Sequence, residues 1–412
     1  MKTTHSIDAL IPEVNTDFQC LGSDCPDTCC SGWEVSIDKD SFFEYRKNTN
    51  LELKDLFLNQ LNREKNATPH RYATIRLNEQ NGSCGFLDQG LCKIQKTLGA
   101  NALSDTCSGY PRITLQHGDM IQQGLTLSCP EASRRTLLQE GIMQFVPSTV
   151  YTRKSQVTKI KSSSEEAAKV EREVRFFALR IMRTEELQTW QKISILGFFC
   201  EDLNSFYKKD AKFDPRTLIN QYEVAMDDGS FLKSLSAIIP LPEIQVKIFS
   251  GILFSKLLKN NTDFQKKTLD KFLRNVFGDE SRMTQVEFLS VMYENYNSGI
   301  KKLNLVLLES NKKHFMDNFL LNQMFNEGFP YNESNFFKSY LRLLARFGTL
   351  RMLLALSCSN SNDLPNVEEL SSLTQVYARK FEHDPHFKSA VNDGLQGVGF
   401  ESMKYVVGLI RD

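Results

Sequence analysis

Eight cysteines fall in the first third of this 412-residue chain, and their thiols are the side chains best suited to chemistry. Four crowd into one short stretch and four follow at wider spacing: Cys20, Cys25, Cys29 and Cys30, then Cys84, Cys92, Cys107 and Cys129. Thiolates are soft ligands, and they bind zinc or iron–sulfur clusters when short loops converge several of them on one point. We therefore predict a soft-metal site built from these eight cysteines.

A disulfide framework is the competing interpretation of this cysteine density. Disulfides persist in oxidising compartments, and the first ten residues contain no apolar run like the core of a signal peptide. A chain of this length also buries enough apolar surface to fold without cross-links. We expect a reduced, cytoplasmic protein. Because no histidine lies at zinc-finger spacing from these cysteines, the pattern favours iron–sulfur, with zinc as the alternative metal.

The other two cysteines belong to a different setting. Cys200 continues an apolar helical stripe with Ile193 and Leu196, and Cys358 ends the apolar run that begins at Leu353. Free cysteine often behaves as a small core residue. We place both outside the metal site.

Composition excludes some partners. Lysine plus arginine and aspartate plus glutamate both number 50, so net charge gives no reason to expect a nucleic-acid partner. The longest apolar runs, at 195–200 and 350–356, are far shorter than a membrane span, so no transmembrane segment is predicted. Peripheral membrane contact and the oligomeric state stay open.

The hydrophobic pattern divides the chain into three parts. Residues 1–147 show short alternating strands around the cysteines, including a hairpin about His117-Gly118-Asp119, and a capping box at Ser41-x-x-Glu44 predicts a short helix. Residues 148–164 hold four basic and no acidic residues, which predicts a solvated linker or, alternatively, a surface for an acidic partner or a lipid headgroup.

Residues 165–412 follow helical periodicity. Val170, Val174, Phe177 and Ile181 recur on one helix face after a capping serine, and similar apolar helices are predicted at 190–203, 244–258, 265–277, 283–296, 318–325 and 336–356. The predicted fold is mainly α: a small α+β cysteine-rich domain followed by an all-α multi-helix domain.

The cysteines sit in sequence contexts that carry a family resemblance. These are Phe18-Gln19-Cys20, Cys25-Pro26-Asp27-Thr28-Cys29-Cys30-Ser31-Gly32-Trp33, Cys84-Gly85-Phe86-Leu87, Leu91-Cys92-Lys93-Ile94 and Thr106-Cys107-Ser108-Gly109-Tyr110-Pro111-Arg112. Together they resemble the bacterial CxxCxxCC-type cysteine-rich iron- or zinc-chelating domain. With a helical domain after Cys129-Pro130, the whole chain resembles the flagellin lysine-N-methylase branch of that group.

The resemblance implies a cytoplasmic bacterial enzyme that uses S-adenosylmethionine to methylate lysine amines of flagellin. It also implies a [4Fe-4S] cluster in the cysteine-rich region. Two other functions compete with this one, a zinc-stabilised interaction protein and an iron–sulfur electron carrier without methyltransferase activity.

The usual signatures of methyl-transfer enzymes are missing. The Gly394-x-x-Gly397-x-Gly399 run has no strand before it and too little chain after it for a dinucleotide-type βαβ unit, so a loop is predicted. The Cys-x3-Cys-x2-Cys loop of radical enzymes would need a cysteine where Gly32 stands. A lysine amine must lose its proton before it attacks a methyl group. Asp27, Tyr110 or an acid of the helical domain could accept that proton, but turn or core roles are favoured for each, and no catalytic residue is assigned.

Overall fold

The fold is given by a computed structural model that describes residues 4–80, 82–210, 212–259, 261–278, 283–360, 362–384, 386–387, 390–391, 400 and 402–411. Within these ranges every strand precedes residue 161, and helices account for most of the chain that follows. The predicted fold class, mainly α with a small α+β N-terminal region, is confirmed. The glycine run at 394–399 lies outside the described residues.

The strands are β1 (His5–Pro12), β2 (Ser36–Ile37), β3 (Leu61–Arg63), β4 (Ala73–Ile75), β5 (Leu87–Asp88), β6 (Leu91–Cys92), β7 (Arg112–His117), β8 (Met120–Leu125), β9 (Phe145–Thr152) and β10 (Val157–Ile160). The helices are α1 (Lys39–Lys47), α2 (Lys54–Asn59), α3 (Lys93–Leu98), α4 (Asp105–Gly109), α5 (Pro130–Leu138), α6 (Glu165–Met182), α7 (Thr189–Lys209), α8 (Pro215–Asp227), α9 (Ser230–Ser236), α10 (Pro242–Lys256), α11 (Asp263–Phe277), α12 (Gln285–Glu309), α13 (Phe315–Glu327), α14 (Phe336–Ser357), α15 (Val367–Phe381) and α16 (Met403–Val406).

A five-stranded sheet with the order β10-β7-β8-β1-β9 forms the first layer. Strands β7 and β8 make the predicted hairpin, in which His117 pairs with Met120 across a two-residue turn. Gly118 occupies that turn with a φ of 61°, a conformation that glycine adopts without steric cost. Strand β8 runs parallel to β1, and β10 runs parallel to β7.

The segment 148–164, predicted as a linker, is instead largely part of this sheet. It contains most of β9, which pairs with β1 along its whole length, and all of β10. Arg153 is buried and donates to the carbonyl of Leu103 at 2.9 Å and to Asp105 at 3.1 Å. The linker prediction was therefore wrong. The four basic residues suggested a solvated segment, but the segment forms β-strands, and its Arg153 makes a buried ion pair with Asp105.

The cysteine-rich region has a small core of its own. Apolar side chains of the three-stranded sheet β2-β4-β3 and of the neighbouring helices and loops pack together there, among them Val35, Ile37, Phe57 and Phe86. Helix α1 begins one turn earlier than predicted, since Asp38 is its N-cap and accepts from the amide of Ser41 at 2.9 Å. Ser41 is thus a capped residue rather than the cap.

The helices predicted from periodicity are confirmed. Ser164 caps α6, and Val174, Phe177 and Ile181 are buried on its inner face. Pro242 begins α10 at its first turn, and Pro330 lies between α13 and α14. The helices that had no separate prediction are α2, α3, α4, α5, α8, α9, α15 and α16.

The helices share one continuous apolar core that includes Leu125 of β8, whereas Ala9, Ile11 and Val150 of β1 and β9 form a small separate cluster. On α13, the amides of Asn322 and Asn326 both donate to the carbonyl of Leu125 at the end of β8, at 2.9 and 2.8 Å. A Cβ on Gly124 would collide with Asn326, so glycine permits this close approach. Strand β8 therefore packs on the core of the helical part, whereas the cysteine-rich region folds around its own core. Among the described helices, none has the length and apolar composition needed to cross a bilayer.

Candidate metal centre and its anchor on the helical part

The thiol of Cys30 is close enough to those of Cys29 and Cys92 that the three titrate together. Interaction with Cys30 lowers the pKa of Cys29 to about 7 and the pKa of Cys92 to about 6, and the same interactions raise the pKa of Cys30 itself. Cys92 ends β6 and forms the N-cap of α3, while Cys29 and Cys30 lie in the loop after Pro26. Three predicted ligands from two distant segments therefore meet.

Cys84 and Cys107 join the same group. The amide of Cys84 donates to the carbonyl of Cys30 at 2.7 Å, and the charges of Cys84 and Cys107 interact with those of Cys29 and Cys92. Burial raises the pKa of Cys84 to about 11 and that of Cys107 to about 12. We call Cys29, Cys30, Cys84, Cys92 and Cys107 the inner cysteines.

The remaining predicted ligands, Cys20, Cys25 and Cys129, form a neighbouring set. Burial raises the pKa of Cys25, and the adjacent Cys20 and Cys29 thiols add to the effect. The thiol of Cys25 donates to the carbonyl of Asp27 at 3.1 Å. Cys129 is the N-cap of α5, where its side chain makes no capping hydrogen bond, and burial raises the pKa of its thiol to about 11. The predicted core positions of Cys200 and Cys358 are confirmed, since both are 0% exposed in the helical part.

The donor set is compatible with an iron–sulfur cluster. Backbone amides point at several sulfurs, including Gly22 to Cys20 and Phe86 to Cys84, both at 3.5 Å. Such N–H···S hydrogen bonds stabilise thiolate ligands and tune clusters. In the part of the chain that the structure describes, no three His, Cys, Asp or Glu side chains are placed as ligands of a single metal ion. Ligation by the eight cysteines stays a prediction.

Asp27, at the centre of the Cys25–Cys30 loop, anchors that loop to the helices. The residue is 2% exposed, and its carboxylate accepts three hydrogen bonds of 2.9 Å. The donors are the hydroxyl of Thr262, the amide of Gln265 and the amide of Gln375. Gln375 also donates to the carbonyl of Ser128 at 2.9 Å, which ties the loop to the segment that carries Cys129. A buried carboxylate needs such donors to offset its lost hydration.

Arg379, on α15, completes the anchor. Its guanidinium is buried, lies 3.6 Å from the carboxylate of Asp27 and donates to the carbonyl of Ser31 at 3.5 Å. Burial acts to lower its pKa, but Tyr110, Asp27, Cys29 and Cys129 together raise it. The positive charge in turn helps to lower the pKa of Cys29. A cation from the helical part is thus in electrostatic contact with both sets of cysteines.

An aromatic stack lies beside the loop. Trp33 stacks on His383 with ring centroids 4.7 Å apart and on Tyr110 at 5.7 Å, and its indole donates to the carbonyl of Cys29 at 2.9 Å. The hydroxyl of Ser128 links Tyr110, at 3.1 Å, to His383, at 2.7 Å. Tyr110 is therefore engaged in packing, and burial raises the pKa of its hydroxyl. The favoured turn and core roles of Asp27 and Tyr110 agree with these contacts.

Sequence reasoning missed Arg379, Gln375, Gln265 and Thr262. They lie more than 230 residues from Asp27 along the chain, and no short motif connects them to the cysteines. The one local signal was Asp27 itself, a carboxylate enclosed by cysteines in a tight loop.

The fold and the candidate site define a protein with two parts, a cysteine-rich region and a helical domain. The buried carboxylate of Asp27 joins them through hydrogen bonds to the helices. The chain belongs to the FliB lysine N-methylase family, because the model of the FliB lysine N-methylase C-terminal domain matches residues 175–409, more than half of the sequence. That match begins within α6 and includes α15, the helix that carries Gln375 and Arg379.

Curated relatives agree with the family. The chain is similar to the lysine-N-methylases of Salmonella choleraesuis and Salmonella typhimurium, each 34% identical over 140 residues, or 34% of this chain and 35% of the relative. It is also similar to the flagellar biosynthetic protein FliU of Salmonella muenchen, 34% identical over 145 residues, or 35% of this chain and 85% of the relative. The matches thus span about a third of the two lysine-N-methylases. No solved structure matches the chain.

Proposed function

We propose that this protein is an S-adenosylmethionine-dependent lysine N-methyltransferase that modifies flagellin in the cytoplasm and holds a [4Fe-4S] cluster in its cysteine-rich region. The observation that carries the proposal is the family match across residues 175–409. The names of the relatives add lysine methylation and a flagellar role. The converging inner cysteines support the cluster.

The reaction transfers a methyl group from the sulfonium of S-adenosylmethionine to a neutral lysine amine. A lysine has a pKa near ~10.4 in water, so the enzyme must favour loss of the proton and align the nitrogen with the methyl carbon. Asp27 does not suit the role of proton acceptor, because it is buried and already accepts three hydrogen bonds. The anchor around Asp27 therefore has a structural role, and the proton acceptor belongs elsewhere.

The inner cysteines, with Cys25 close by, are the residues that would hold the cluster. A bound cluster would supply a rigid cross-link between the Cys25–Cys30 loop, the β5-β6 hairpin and α4, together with a redox-active charge. The chain's own contribution is to present thiols with amide donors and to exclude water from Cys84. Charged thiolates need these partners once they leave water.

The proposal is tested with anaerobically purified protein. Iron and acid-labile sulfide should be present in the ratio of a four-iron cluster, and S-adenosylmethionine should bind in equilibrium dialysis. Incubation with monomeric flagellin should then add methyl increments to lysine-containing peptides in mass spectra. Stoichiometric zinc without iron would favour a zinc-stabilised interaction protein. An intact cluster with no methyl increment would favour an electron carrier.

A further inference from the structure

Arg379 has more hydrogen-bond donors than its surroundings satisfy. Its side chain has no exposed surface, yet Nε and Nη2 have no hydrogen-bond partner, and the Nη2 contact to Asp27 is a 3.6 Å ion pair. A guanidinium carries five N–H donors, and each buried donor without an acceptor costs free energy. The carboxylate of Asp27 does not make up the deficit, because three other donors share it. The charge of the guanidinium is therefore only partly balanced, by a carboxylate that three other donors share.

Two cysteine thiols are within electrostatic reach of the guanidinium. Arg379 interacts with Cys29 of the inner cysteines and with Cys129 of the neighbouring set. The guanidinium also lies 5.8 Å from the ring centre of Tyr110, and an aromatic face attracts a cation. A cysteine thiol is a weak acceptor, whereas a metal-bound thiolate or sulfide is an anionic one.

We propose that Arg379 is the charge-compensating residue of the iron–sulfur centre, so that the helical domain completes a site whose ligands all lie in the N-terminal region. The inference rests on the cluster proposed above. Four thiolates around a four-iron core leave a net negative charge, and reduction adds another. A buried cation beside the cluster stabilises the reduced state more than the oxidised state, and it therefore raises the reduction potential.

The test is the midpoint potential of the reconstituted full-length protein, measured by a redox titration with electron paramagnetic resonance. Arg379→Gln should shift the midpoint to lower potential. Arg379→Lys keeps the charge and should return the midpoint towards that of the wild type. Arg351→Gln is the matched control: this arginine is also buried, but on α14, where it donates to the carbonyls of Leu409 and Ile410. Its midpoint should equal that of the wild type.

Iron content distinguishes the failures. If Arg379→Gln loses iron and Arg379→Lys restores both iron and a near-wild-type midpoint, the charge is required and the inference holds. An Arg379→Gln cluster with an unchanged midpoint would overturn the inference and leave the proposed cluster intact, as would an Arg351→Gln shift of equal size. A wild-type chain that never binds iron would instead overturn the proposed cluster itself.

Discussion

The Nδ1 atom of His117 lies 3.2 Å from Nη1 of Arg175, and this contact fixes the tautomer of a buried histidine. A guanidinium only donates, so Nδ1 accepts and the proton resides on Nε2. That proton is directed to Glu171 at 2.7 Å, with the hydroxyl of Ser162 at 3.0 Å. The network joins the turn of the β7-β8 hairpin to α6, so it links the sheet to the first helix of the all-α part.

Arg175→Met should therefore destabilise the protein. The methionine keeps an apolar side chain but cannot donate a hydrogen bond. His117 Nδ1 and the side-chain oxygen of Gln122, which accepts from Arg175 at 2.6 Å, would both lose their donor. Two buried acceptors without partners should lower the free energy of unfolding by about 2–4 kcal/mol, at ~1–3 kcal/mol each with partial relaxation. Urea denaturation followed by circular dichroism measures the change. Arg180→Met is the control on the same helix: its ion pair with Glu223 is exposed, and a loss of about 1 kcal/mol or less is expected.

The same network predicts that the free energy of unfolding depends on pH. Burial acts to raise the pKa of Glu171, but hydrogen bonds from His117 and Ser162 outweigh it and hold the pKa below its ordinary value. A depressed carboxyl pKa contributes stability above the unfolded-state pKa, and that contribution is lost as the pH falls through the folded-state pKa. Glu171→Gln should thus be less stable than wild type at pH 7, and the gap should narrow below about pH 4. A difference in stability between Glu171→Gln and wild type that stays constant from pH 7 to below about pH 4 would show that the hydrogen bonds of Glu171 do not lower its pKa.

Asp27→Asn should loosen the cysteine loop from the helices. The carboxylate of Asp27 accepts three hydrogen bonds, whereas an asparagine amide has one oxygen that accepts and one nitrogen that only donates. The substitution also removes the negative charge that pairs with Arg379. Breaking a buried ion pair costs about 3–5 kcal/mol. Urea denaturation followed by the fluorescence of Trp33 and Trp190 should show the loss. Asp24→Asn, an exposed acid in the same segment, is the matched control and should change little. Equal stability of the two variants would show that Asp27 is not an anchor.

Alanine substitution should separate the two kinds of cysteine. Cys29→Ala, Cys92→Ala and Cys107→Ala each remove an inner thiol, so each should lower the iron and sulfide bound after anaerobic reconstitution. Cys200→Ala and Cys358→Ala should keep full metal content, and each should cost only about 1 kcal/mol of stability for a small cavity. Metal loss at Cys200 equal to that at Cys92 would overturn the assignment of the metal region.

Local patterns predicted most of the secondary structure but not the contacts that organise the site. The hairpin about Gly118 and the face of α6 follow from periods of two and of 3.6, which the chain displays directly. The strands within 148–160 were not predicted, because an edge strand such as β10 tolerates charged residues that elsewhere indicate a solvated segment. The hydrogen bonds of Asp27 to Thr262 and Gln375 depend on how distant helices pack, and one sequence without long-range information does not encode them in any local pattern.

The last prediction concerns how the proposed enzyme selects its substrate. Exposed lysine amines occur on every protein surface, so a selective methyltransferase must draw on contacts remote from the reacting nitrogen. Such contacts align the amine with the methyl group and contribute to the rate only when the whole surface is present. Folded flagellin monomers should therefore be methylated faster than peptides cut from the same flagellin that contain the same lysines. The two substrates should differ in kcat/KM rather than in the final fraction of lysine methylated.

Quantitative mass spectrometry over a time course, at equal concentrations of acceptor lysine, measures both substrates. The control is flagellin unfolded in denaturant and rapidly diluted, which has the full sequence without the folded surface. Equal rates for folded protein and peptides would show that the enzyme reads only the local sequence around each lysine.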